Sequence, residues 1–179
     1  MECITYENGK WKETSIFGYD AEGNNVSWHT RTANDEYLLQ LQYDAQGRCT
    51  DRRYTNITTG HEISHHYSEF PNDNERIDTS VTAEGNPFMF TIRRFDEKGN
   101  VIYVAHQDVG DPEPYAINET AFDEHNNEIW ERLSNKEGEV YTRKHTYRYD
   151  NHGNWIEKII IYSQRYTNLI VERTIEYTN

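Results

Sequence analysis

The chain has 179 residues, with 18 Lys and Arg against 31 Asp and Glu, a formal net charge of −13. That balance argues against a protein that grips phosphate backbones, where neutralising Lys and Arg dominate affinity. Hydrophobic residues make up 35% and mean hydropathy is −1.03, so neither an apolar run of about 18 residues able to span a membrane nor a thick two-sided apolar core is readable.

From the N-terminus onward, turn-forming clusters alternate with runs rich in β-branched and aromatic residues. Glu7-Asn8-Gly9 is the first breaker, and Tyr19-Asp20-Ala21-Glu22-Gly23-Asn24 the first copy of a phrase that recurs. Asn34-Asp35 follows, then Tyr43-Asp44-Ala45-Gln46-Gly47-Arg48, Thr59-Gly60 and a degenerate copy, Phe70-Pro71-Asn72-Asp73-Asn74-Glu75. Glu84-Gly85-Asn86 precedes the strand-like Phe88-Met89-Phe90-Thr91-Ile92 and the copy Phe95-Asp96-Glu97-Lys98-Gly99-Asn100. Gly110-Asp111-Pro112-Glu113-Pro114 separates it from Phe122-Asp123-Glu124-His125-Asn126-Asn127, and Lys136-Glu137-Gly138 stands before Tyr149-Asp150-Asn151-His152-Gly153-Asn154. Two further strand-like runs, beginning at Trp155 and at Leu169, flank the breaker Tyr166-Thr167-Asn168, and Tyr177 extends the aromatic ladder.

The leading aromatics Tyr19, Tyr43, Phe70, Phe95, Phe122 and Tyr149 recur every 24 to 27 residues, which marks a repeat architecture. Each copy reads as a hairpin turn. The Asp accepts hydrogen bonds from the backbone two residues on, and the Gly or Asn three places after it tolerates the positive φ that ends such a turn. Breakers arrive roughly every 13 residues, the spacing of strands, and no segment carries a sustained helical stripe. The expected fold is all-β: an antiparallel meander of about 14 short strands from six to seven hairpin repeats, in one domain spanning residues 1–179. The sheet is expected to be curved and open, or a flattened, incompletely closed barrel. Closure removes edges, but about 14 strands in a round barrel would leave a lumen that these side chains could not fill.

Aligning the copies on their turns places Val26, Thr50, Ile77, Ile102, Ile129 and Ile156 in one column and Ser27, Asp51, Asp78, Tyr103, Trp130 and Glu157 in the next. Strand alternation sends the two columns to opposite faces. A bulge in the turn would decide whether the aromatic ladder shares the aliphatic face.

The repeated Tyr-Asp-x-x-Gly-Asn phrase resembles the YD repeats of bacterial Rhs and teneurin-type proteins, over about residues 11–177. In large members of that family the repeats wind into a shell around a toxic or adhesive domain. Six copies are too few to close such a shell, and neither a toxin segment nor a self-cleavage motif follows the last copy. The resemblance therefore implies a small stand-alone repeat protein, and because Rhs-type systems include small cognate immunity proteins, it also implies a possible immunity role.

Candidate chemistry is thin. On a strand His61 and His65 would share a face about 13 Å apart with His66 pointing away, which cannot chelate one ion. A cross-strand Asp35 or Glu36 would be needed to complete a site. The turn carboxylates Asp20, Asp44, Asp96, Asp123 and Asp150 are explained by their turns, so no catalytic residue, metal ligand or cofactor site is assigned. Cys3 and Cys49 form no disulfide framework.

The expected function is non-catalytic protein binding. The column Asp51, Asp78, Tyr103, Trp130 and Glu157 offers an acidic face with an aromatic centre, and the loop bearing Asp108, Asp111 and Glu113 is the most acidic connection. A basic protein, such as a cognate toxin, would complement this charge. The alternative partner is a carbohydrate or cell-surface ligand stacked on exposed Trp and Tyr. With Met1 as the natural start the protein is expected in the cytoplasm; removal of a signal would place it outside the cell or at its surface.

Overall fold

The computed structural model describes residues 1–164 and 168–176; the breaker residues Tyr166 and Thr167 and the ladder residue Tyr177 lie outside these. Among the described residues every regular element is a β-strand. In order they are β1 (Glu2–Glu7), β2 (Lys10–Tyr19), β3 (Asn25–Thr32), β4 (Glu36–Tyr43), β5 (Cys49–Asn56), β6 (His61–Asn72), β7 (Glu75–Val81), β8 (Pro87–Phe95), β9 (Val101–Asp108), β10 (Ala116–Phe122), β11 (Glu128–Asn135), β12 (Gly138–Tyr149), β13 (Trp155–Tyr162) and β14 (Leu169–Glu172). Each strand pairs with its neighbours in sequence, in one 14-stranded antiparallel sheet running from β1 to β14 without closing. The sheet is therefore open, as expected, and not closed into a barrel. The chain gathers into two compact units, one of Met1–Pro71 and Ile77–Phe90, the other of Asn72–Arg76 and Thr91 onward.

The turns are built as the sequence dictates. The Oδ1 atoms of Asp44, Asp96, Asp123 and Asp150 accept from the backbone amides two and four residues on, at 2.8–2.9 Å. Asp20 Oδ1 accepts from the amide of Asn24 at 2.8 Å. Gly99 has φ +84° and Asn126, in the same place of the next copy, φ +62°. Residues 82–86 close with the same backbone pattern, Thr82 N to Asn86 O and Gly85 N to Thr82 O. Thr82 Oγ1 stands there where Asp stands in the other copies, so this turn is a further copy hidden by its hydroxyl.

Four of the full turns also carry a bulge. Tyr19 pairs with Asn25, Tyr43 with Cys49, Phe122 with Glu128 and Tyr149 with Trp155, with a register shift immediately before each aromatic. The bulge settles the open parity. In the second unit Phe122 lies two residues from Thr120, which faces Glu131, and Tyr149 lies two from Tyr147, which faces Lys158. Phe122 and Tyr149 of the aromatic ladder thus lie on the face opposite Trp130, which faces Ala121, and Glu157, which faces Arg148.

Apolar burial is slight. Among the described residues the buried hydrophobics are Val81, Ala105 and Ile160, while Ser15, His65, Ser68, Asp78, Ser80, Thr91, Glu131 and His145 are equally well covered. Cohesion comes from the hydrogen-bond ladder and from cross-strand side-chain pairs, each contributing roughly 0.2–1 kcal/mol.

The turn residues with positive φ set one expected outcome. Gly99→Ala places a Cβ in the left-handed region and should lower stability by about 1–2 kcal/mol. Asn126→Gly, which relieves the same strain, should be neutral or stabilising. Urea midpoints of the two variants check both signs.

Candidate functional site

Within the second unit the expected column is real but not acidic. Tyr103 faces Glu119 and Glu119 faces Arg132, while Trp130 faces Ala121 and Lys144, and Glu157 faces Arg148 and Glu172. Tyr103, Trp130 and Glu157 therefore share a face. Each brings a cation with it. The Arg94 guanidinium lies 4.8 Å above the Tyr103 ring and its Nε is 2.8 Å from Glu75. Arg132 lies 5.8 Å from the Trp130 ring centre and its Nε donates to Glu119 at 2.7 Å. Arg148 stands 3.5 Å from Glu157.

In the first unit the column breaks at its degenerate copy. Asp51 accepts from His65 Nε2 at 2.9 Å on one face of the sheet. Asp78 sits on the other face, 3% exposed, accepting from Ser68 Oγ at 2.5 Å and from Arg52 at 3.2 Å. In the full copies the residue two before the leading aromatic faces the one nine after it, as Phe17 faces Trp28 and Leu41 faces Arg52. The Ser68–Asp78 and His66–Ser80 hydrogen bonds put Asp78 opposite the residue two before Phe70 although it is only eight after it. The hairpin at Asp73-Asn74 is one residue shorter, and a one-residue change flips the face. Asp78 thus leaves the exposed column and becomes a buried tie.

The histidines need a similar correction. The β5–β6 register shifts at Tyr54/Thr55, where Tyr54 faces Ser64 but Thr55 faces Glu62. The extra residue, Ile63, brings Glu62 to 3.8 Å from His65 Nδ1 and sends His61, opposite Asn56, to the other face. His61 and His65 do not share a face. Glu36 bonds Arg31 at 3.0 Å and lies 3.5 Å from His29, not against the histidine cluster. Among the described residues no three His, Cys, Asp or Glu converge as metal ligands would.

In the acidic loop, Asp111 is bound by Lys136 Nζ at 2.6 Å, and its carbonyl accepts from Gln107 at 2.6 Å. Hydrogen bonding to Asp111, with the fields of Asp108 and Glu113, holds the Lys136 ammonium above its ordinary value. Asp108 and Glu113 are exposed.

Two features were not legible in the sequence. The first is a polar cluster around Glu131 in the second unit. Its carboxylate accepts from Asn118 at 3.0 Å and Tyr141 at 3.1 Å and contacts Arg143 at 2.5 Å, while Arg143 also reaches Glu128 at 3.1 Å. Beside it the backbone carbonyl of Glu128 binds His145 Nδ1 and Tyr147 OH, each at 2.8 Å. A carboxylate with its acceptor sites so occupied is a structural anchor and not a poised base. Burial, with the Lys158 charge, pushes His145 below its ordinary value.

The second is a groove of about 660 Å³ on the first unit, on the face that carries Asp78. Its ridges are two stacked ring pairs, Phe17–Trp28 at 5.6 Å and Tyr37–Tyr54 at 5.7 Å between centroids. Its floor lies lower because small hydroxyl residues stand between them: Ser15 faces Thr30 with their hydroxyls 3.2 Å apart. Cross-strand register alone assembles it, since Trp28 faces Leu39, Leu39 faces Tyr54 and Tyr54 faces Ser64.

Asp78→Ala leaves Arg52 and Ser68 without their buried acceptor and should cost about 2–4 kcal/mol. Glu157→Ala, removing a solvent-screened pair, should cost less than about 1 kcal/mol; urea unfolding compares the two. A second outcome concerns pH. Burial, the hydrogen bond to Asp123 at 2.5 Å and that carboxylate's charge push the Tyr149 phenol from 10.0 to about 12. Its contribution to stability is fully present below pH 10 and is lost as pH rises through about 12. Burial would raise Asp123, but bonds from Tyr149, from the Asn127 and His125 amides and from the Asn127 side chain outweigh it and hold it below 3.8. Its contribution is therefore present above pH 3.8 and lost as pH falls through the lower folded value. Tyr149→Phe should abolish the phenolate absorbance step near pH 12 and move acid unfolding to higher pH.

No protein-family model matches the chain, and no curated protein matches it. Among solved structures it is similar to "Crystal Structure of TcdB2-TccC3-Cdc42", at 14% identity and TM-score 0.50, over 96% of this chain and 10% of that one. It is similar in the same degree to "Crystal Structure of TcdB2-TccC3 without hypervariable C-terminal region", at 13% identity and TM-score 0.50, over 96% and 9%. The chain thus spans about a tenth of the length of the structures it matches. With the recurring Asp-capped hairpins, the likeness shows a YD-repeat-like all-β fold.

Proposed function

We propose that the chain is a non-catalytic binding module whose partner is a basic protein, and in the most specific form an immunity or inhibitor protein that masks a toxin. The observation that carries the reading is the shortage of a core. A sheet ordinarily buries one face against a second layer, yet the described residues bury only Val81, Ala105 and Ile160 among hydrophobics, and leave Trp28, Ile63, Tyr67, Phe88 and Ile161 at least 41% exposed. A partner supplies the absent layer, and a net charge of −13 selects a basic one. Similarity of fold to part of TcdB2-TccC3 supports a toxin-associated setting. Asp108 and Glu113, exposed beside Lys136, steer the encounter, and the face of Tyr103, Trp130 and Glu157 supplies aromatic area whose arginines exchange their carboxylates for the partner's.

A second reading, a carbohydrate ligand, is favoured by one observation. The groove on the first unit pairs ring faces with the hydroxyls of Thr30, Thr32 and Ser64.

Immobilised protein is incubated with extracts and secretions of its host and washed at about 0.1 M and then about 1 M salt, which shortens the screening length from about 10 Å to about 3 Å. A basic protein held at low salt and released at high salt, and held less by the Asp108→Asn, Glu113→Gln double variant, is the expected outcome. Glycan retained at both salts would replace the first reading with the second.

A further inference from the structure

We infer that the groove on the first unit is a binding site for a cationic side chain, specifically an arginine of a basic polypeptide, walled by Trp28, Tyr37 and Tyr54 and closed electrostatically by Glu13. The inference rests on the proposed basic partner and locates one point of its attachment.

Elsewhere the chain places its own cations over several of its aromatic faces. Arg48 lies 4.4 Å over Phe70, Arg94 4.8 Å over Tyr103, Arg132 5.8 Å from Trp130, Lys158 5.4 Å from Tyr147 and Arg173 4.0 Å over Trp155. Among the described residues no Lys or Arg lies over Trp28, Tyr37 or Tyr54, and Trp28 remains 43% exposed. The negative face of an aromatic ring attracts a guanidinium within about 6 Å, so that attraction is unused on the rings of this groove.

The charge inside it points the same way. Of the basic residues on its lining, Arg52 and His66, Arg52 is bound to the buried carboxylate of Asp78 at 3.2 Å, its charge met from within the protein, and His66 Nδ1 lies 3.0 Å from Ser80 Oγ. Glu13, also on the lining, faces Thr32 across β2 and β3 and among the described residues has no cation beside it. At the hairpin after β3, Asp35 adds a second carboxylate. Burial, then this neighbour, pushes the Tyr37 phenol above its ordinary value. The uncompensated charge of the groove is therefore negative, beside rings with free faces, and the volume of about 660 Å³ exceeds what one guanidinium and its stem require. Arginine is preferred over lysine because its planar, weakly hydrated head stacks on a ring and still donates to a carboxylate.

The test titrates the intact chain with a hexa-arginine peptide and a hexa-lysine peptide by calorimetry at low salt. The parent should bind hexa-arginine the more tightly. Trp28→Ala and Glu13→Gln should each weaken that binding by about fivefold or more, with Glu13→Gln, a near-isosteric change at a half-exposed position, informative even where Trp28→Ala disturbs the strand. Glu97→Gln, the same charge change in a turn of the second unit, should leave affinity within about twofold. Equal affinity of the parent, Trp28→Ala and Glu13→Gln overturns the groove as the site while leaving the basic-partner reading intact. Absence of peptide binding by the parent also overturns the site, and the basic-partner reading is then judged independently by salt-dependent retention of a whole protein. Equal weakening by Glu97→Gln and Glu13→Gln would show attraction to net charge alone and likewise overturn it.

Discussion

A carboxylate that accepts the amides two and four residues further along sets the geometry from which the rest of this protein follows. The Asp44, Asp96, Asp123 and Asp150 turns share this bond pattern at 2.8–2.9 Å, and each hands the chain back to the sheet through one residue at positive φ. At Tyr43, Phe122 and Tyr149 these like turns are followed by the same bulge beside the aromatic, and the bulge decides which side chains reach which face. An Asp in this position does local work with its charge, so each of these carboxylates is accounted for by its own turn.

That local device relieves the protein of needing a thick core. Ladder hydrogen bonds and cross-strand pairs hold the strands, and among the described residues the buried positions are filled more often by Ser, Thr, His, Asp and Glu than by hydrocarbon. Buried polar groups are tolerable because they find partners: Asp78 with Ser68 and Arg52, Glu131 with Asn118 and Tyr141, His65 with Asp51. The consequence for function is an exposed sheet whose surfaces differ. Where a ring has its own guanidinium above it the surface is self-satisfied, and where rings flank a floor of Ser and Thr a groove opens.

Departures from the repeat are as informative as the repeat. At Asp73-Asn74 the hairpin is one residue short, and Asp78 changes from an expected surface acid into a buried tie. At Ile63 one extra residue separates His61 from His65. Both changes come from a single residue of register and are invisible to residue type, since Asp78 occupies the same aligned place as Asp51. Thr82 shows the reverse: a hydroxyl replaces the carboxylate and the turn persists.

Turn chemistry, strand number and the consecutive antiparallel order were all determined by the sequence itself, because Asp, Gly and Asn at fixed offsets act through bonds only a few residues long. It also determined that Tyr103, Trp130 and Glu157 share a face, since three like turns preserve parity between them. The tertiary structure decided what surrounds each of those residues. That Asp78 is bound by Arg52 and that Trp28 and Tyr54 line one groove depend on which strand pairs at which register, and side chains 26 positions apart in the chain meet only once that pairing is complete.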